Sequence, residues 1–107
     1  MSANAYVAVV LYEATSDSPT YEPLYREDFV LVYAESEEAA REAVARRVEG
    51  EAGSHRNEQG ELITLRCKRV VDVARALDDD LTRDADLYAR HFRDFAAYRR
   101  FEPLMDD

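Results

Sequence analysis

Seven basic side chains fall into two groups that could close on one anion: Arg66, Lys68 and Arg69, then Arg90, Arg93, Arg99 and Arg100. A planar guanidinium makes paired hydrogen bonds to a carboxylate or a phosphate. A pocket holding Arg66, Arg69 and Arg93, with the Tyr88 hydroxyl beside them, would suit such a ligand. The plainer alternative is that these cations neutralise neighbouring acids, including Glu42, Glu49 and Asp94. Arg69 is the sharpest case, because strict alternation puts it on an apolar strand face, where it would need a buried partner.

Other chemistry is thin. Asp78, Asp79, Asp80, Asp84 and Asp86 form the densest acidic group, and carboxylate oxygens suit a hard cation such as calcium. The run lacks the turn glycine and the closing Glu of an EF-hand loop. A solvated turn leading into a helix start explains it more simply. His55 and His91 lie 36 positions apart; the first reads as solvated in a polar loop, the second as packing at a helix border. Cys67 is the single cysteine, so no intramolecular disulfide can form, and inside an apolar strand it reads as a small buried hydrophobe. No phosphate-cradling glycine loop, HExxH or nucleophile-elbow motif occurs. The expectation is therefore no catalytic residue, no metal and no cofactor.

At 107 residues the chain is long enough for one domain, spanning 1–107 with 101–107 as a short tail. Hydrophobic residues make up 47% and charged residues 35%, the balance of a folded globular protein. A net charge of −9 disfavours nucleic acid and anionic membranes and favours a basic partner. The charge is uneven: residues 1–53 hold 11 acids and 4 bases, residues 54–107 hold 12 and 10. The start MSANAYVAVVLY has neither a basic leader nor the length of a membrane span, so a cytoplasmic location is expected.

The elements that would position these residues are clear. AYVAVVLYE (5–13) is apolar on both faces, as a central strand is. Residues 14–23 form a loop, and 24–34 return as a second strand. Ser36 stands where an N-cap belongs, Glu37 and Glu38 follow in the first turn, and Ala40, Ala43, Val44 and Val48 repeat at helical spacing. Gly50 is expected as a left-handed C-terminal cap. Residues 51–61 read as a mobile polar loop. A third strand from Leu62 to about Asp72 carries Ile63, Leu65, Cys67, Val71 and Val73 on its apolar face. A last helix over 84–100 would turn Ala85, Tyr88, Phe92, Phe95 and Ala96 to the core, and Phe101, Leu104 and Met105 could pack back on the sheet.

These give an α+β fold in β-β-α-β-α order: a three-stranded, mainly antiparallel sheet of order 2-1-3 with both helices on one face. The opposite face would be apolar and Tyr-rich, with Tyr12, Tyr25 and Tyr33 lining it, and a homodimer is the expected cover.

The order of AYVAVVLYE, REDFVLVYAES, EEAAREAVARRVE, a strand ending VVDV and then DADLYARHF resembles the domain-of-unknown-function family 4288 over most of residues 5–93. The resemblance implies a small bacterial cytoplasmic protein and supplies no activity.

The leading reading is a non-enzymatic binding protein, of an immunity or inhibitor type, presenting Glu37, Glu38 and Glu42 to a basic protein partner. The alternative is a small-ligand protein or enzyme with the Arg66, Arg69, Arg93 and Tyr88 pocket between the third strand and the last helix.

Overall fold

The computed structural model describes residues 3–102 and 104. Its elements are β1 (Asn4–Ser16), β2 (Leu24–Ala34), α1 (Glu37–Glu51), β3 (Gly53–Arg56), β4 (Leu62–Arg75) and α2 (Phe95–Phe101). The sheet is antiparallel with order β2-β1-β4-β3. The α+β class and the central place of β1 agree with the sequence reading. The sheet has four strands rather than three. The added strand, β3, is four residues from the stretch taken as a loop, paired to the start of β4 with His55 opposite Ile63. Its polar, glycine-led composition carries no strand signal; the pairing is dictated by β4 extending past the end of α1.

Period-two alternation sorts β1 onto two faces. Tyr6, Ala8, Val10 and Tyr12 point towards α1 and form the core with Ala34, Ala40, Val44 and Val73. Val30, Val32, Leu65, Cys67 and Val70 pack around them. Val9, Val10 and Val44 are fully enclosed, each worth about 1.5 to 3 kcal/mol of burial. α1 starts at Ser36, whose Oγ accepts the Ala39 N–H at 3.1 Å, the expected cap. It does not end at Gly50. The helix runs on to Glu51, and Ala52 at φ −71° leads straight into β3, so no left-handed reversal is needed.

β4 departs from simple alternation. Asp72 pairs with Val9 but Val70 with Val10; Arg69 pairs with Leu11 but Cys67 with Tyr12. Val71 and Lys68 are therefore the extra residues of two bulges. The first puts Val70, not Arg69 or Val71, on the α1 side. Arg69 moves to the outer side opposite Leu11, and Val71 is left 42% exposed.

The last helix is shorter than expected. Residues 84–93 are irregular and α2 covers only seven residues, none of them buried. Its backbone approaches neither the sheet nor α1, so of the two helices α1 alone packs on the sheet. The expected core stripe fails accordingly: Phe92 and Phe95 are 57% and 55% exposed, and Phe101 and Leu104 face solvent. Met105 lies outside the described residues. The radius of gyration is 17.0 Å, against about 13 Å for a compact domain of this length. The long strands and the outlying α2 segment both extend it.

Candidate functional site

The outer face of the sheet, opposite α1, collects Arg66, Lys68, Arg69 and Arg90 of the basic side chains singled out above. Glu13 closes the apolar run of β1, and its neighbours across the strands are Tyr25 on β2 and Arg66 on β4. Arg66 Nη2 donates to Glu13 Oε1 at 2.9 Å and the Tyr25 hydroxyl donates to Oε2 at 3.0 Å. Lys68 Nζ stands 3.7 Å from the same Oε2 and lies over the Tyr25 ring. Only 9% of the Glu13 side chain is exposed, under a single layer of these partners. The Arg66 and Tyr25 bonds, then the Lys68 charge, hold its carboxyl below the usual range despite the opposing effect of burial. The same bond raises the Tyr25 hydroxyl. A carboxylate saturated with donors and fixed in the ionised state is poorly suited to shuttling protons.

Further along this face a strap crosses the sheet. Leu77 and Asp78 N–H groups donate to Leu87 and Asp86 carbonyls, folding residues 77–88 back on themselves. The Tyr88 hydroxyl donates to Asp72 Oδ2 at 2.6 Å on β4, and Arg90 Nη1 lies 3.9 Å from Glu27 Oε2 on β2. Asp72 and Glu27 flank Val9 and Leu11 of β1. The strap therefore passes over the central strand, where Val7 and Val9 are buried. Beyond it, Phe29, Leu31 and Tyr33 on β2 are 63%, 42% and 61% exposed. Tyr25 and Tyr33 share this face as expected. Tyr12 does not: it pairs with Arg26, which covers its ring at 4.8 Å on the α1 side. Burial, then the charges of Glu51 and Asp28, raise its hydroxyl.

Of the four residues expected around an anion, Arg66, Arg69 and Tyr88 share the outer face, while Arg93 follows the strap in an exposed stretch. Arg66 is taken by Glu13 and Tyr88 by Asp72. Arg69 is exposed and makes no ion pair among the described residues. α2 supplies no second wall.

The acidic residues converge instead. β1 begins, β2 and β4 end, and α1 starts at one end of the sheet. Glu37 and Glu38, exposed on the first turn of α1, and Asp78, Asp79 and Asp80, just past β4, therefore occupy the same end. Glu42 follows one turn along, exposed, and Arg41 pairs with Glu37. A groove of about 390 Å³ opens here, lined by Asn4, Tyr33, Arg75 and the three aspartates, among others. The Thr82 hydroxyl, then Arg83, pull the Asp80 carboxyl down to about 2.

A second groove of about 570 Å³ lies beyond the C-terminus of α1, where the sheet continues past its helix; Leu24, Ile63, Leu65 and His55 line it. His91 is exposed in the strap, and Cys67 is half-buried against the core. Among the described residues no three His, Cys, Asp or Glu side chains sit close enough to hold a metal, and no helix is long and apolar enough to cross a membrane. Sequence reasoning missed Glu13 and Asp72. A lone acid ending an apolar strand was the available signal for the first; for the second, alternation gave the right face but no sign of its Tyr88 partner.

Comparison with curated proteins and with solved structures returns no match. A family model does match, over residues 5–89, which takes in the sheet, α1 and the strap as far as Ala89 but not α2. The chain belongs to the family described as a domain of unknown function, DUF4288.

Proposed function

We propose that this protein is a non-enzymatic interaction module that receives a basic protein segment at the acidic end of its sheet. The observation that carries the reading is the placing of Glu37 and Glu38 at the same end of the sheet as an open groove that Asp78, Asp79 and Asp80 line. The groove gives the charge a concave receiving surface, and Tyr33 adds an aromatic wall. Like-signed carboxylates crowded at one end attract a cationic segment and steer its approach. A cytoplasmic setting fits the unpaired Cys67 thiol.

The test is retention of a basic partner on the immobilised chain at low and high salt, beside the Glu37→Lys/Glu38→Lys/Glu42→Lys variant. Binding lost both at high salt and on charge reversal is expected. Binding indifferent to the variant would overturn the reading.

A second reading keeps one specific support. Arg69, with no acidic partner among the described residues, stands beside Arg66 and Lys68, a cationic spot for a small anion. Phosphate titration followed by amide shifts along β4 decides it.

A further inference from the structure

Residues 92–102 form an arm whose helix, α2, approaches neither the sheet nor α1. Phe92 and Tyr98 stack on each other at 5.0 Å, and Asp94 caps α2 by accepting the Ala97 N–H, so the arm is ordered by its own contacts. Phe92, Phe95, Phe101 and Leu104 are nonetheless more than half exposed. The body of the same chain leaves Phe29 and Tyr33 on β2 equally uncovered. These five rings leave on the order of 600 Å² of aromatic surface open per copy. Two copies together reach the roughly 1,200 to 2,000 Å² of a stable specific interface. Charge points the same way. Residues 90–102 carry four arginines against Asp94 and Glu102, on a chain whose net charge is −9. The direction of the chain agrees as well, since the strap runs from Asp72 on β4 towards Glu27 on β2, the free edge of the sheet.

We propose that two copies of this chain exchange arms: residues 92–102 of each lie along Phe29, Leu31 and Tyr33 of the other, with Arg93 and Arg100 at its acidic end. This rests on the reading of that end as the receiver of a basic segment, and it names the segment. Tyr33 makes the path continuous, because it ends the β2 strip and lines the acidic groove. A two-fold arrangement covers both strips and both arms at once and closes the assembly.

The experiment is light scattering on the full chain with two exposed-site variants, alone and mixed. Phe95→Asp/Phe101→Asp spoils the arm; Phe29→Ser/Tyr33→Ser spoils the strip. The wild type is expected to be a dimer, and each variant alone a folded monomer weakened about a hundredfold. Mixing the two should restore a dimer, because one good arm then meets one good strip. A dimer unaffected by the arm variant would overturn the exchange, as would variants that do not rescue each other. If the strip variant does not fold, Arg93→Glu/Arg100→Glu mixed with Asp78→Arg/Asp79→Arg replaces the pair, with the same criterion. A monomeric wild type overturns the exchange alone; the acidic end is judged separately, by charge reversal against a foreign basic partner.

Discussion

Arg69 faces Leu11 across the outer side of the sheet, although its position in an alternating strand would bury it against α1. The bulges at Lys68 and Val71, one on either side, make the exchange, giving the inward position to Val70. Arg69→Ala should therefore stay within about 0.5 kcal/mol of wild type, as exposed sites do. Val70→Asp should cost about 3 kcal/mol or more by burying an unpaired charge. Urea midpoints of the two variants check this, and a costly Arg69→Ala with a tolerated Val70→Asp would mean plain alternation.

The Tyr88–Asp72 bond is the strap's anchor on β4. Tyr88→Phe should raise amide exchange over the strap residues roughly tenfold while leaving β1 protected. Hydrogen exchange resolved by segment measures it; unchanged strap protection would show that Arg90 and packing suffice.

Titration should unsettle the outer face at both extremes. Glu13 is held below its ordinary value of 4.5, chiefly by the Arg66 bond. Its contribution is thus complete above pH 4.5 and lost as pH falls below it. Tyr88 and Tyr25 are raised above 10.0 by their bonds to Asp72 and Glu13. Their contribution is complete below pH 10 and lost as pH rises through the raised values. Glu13→Gln should flatten the acid limb of the stability curve and weaken the Tyr25 share of the alkaline limb, leaving the Tyr88 share in place. Denaturant midpoints across pH would expose an acid limb that persists in the variant.

Val44 joins α1 to the sheet core with no exposure. Val44→Ala removes two methyl groups and opens a cavity, at about 2 kcal/mol. For a chain of this size that lowers Tm by about 10 °C. Calorimetry showing a shift of a degree or two would mean that α1 can settle onto the sheet.

The apolar runs of β1 and β2 and the Ser36 cap were readable because each rests on local pattern. Those signals survive folding, since β1 buries both of its faces and Ser36 needs only the N–H three residues on. Arg69, β3 and α2 were misjudged because each depends on something remote. A bulge is invisible to alternation, and β3 exists only because β4 runs beside it. The spacing of Ala85, Tyr88 and Phe92 suits a helix, yet this stretch is an irregular strap tied to Asp72 through Tyr88. The acidic end was half legible: both clusters stood in the sequence, but only the topology brings them together.

The two borders of the sheet are unequal. β2 offers eleven residues in unbroken register with β1 and without proline, whereas β3 offers four, led by a glycine. Long, flat, unbroken borders invite added strands, and short ones discourage them. Growth by strand addition thus has one open direction per copy, and two copies meeting there leave only β3 outward. A sheet joined there would stop at a pair, since the short β3 border discourages further growth.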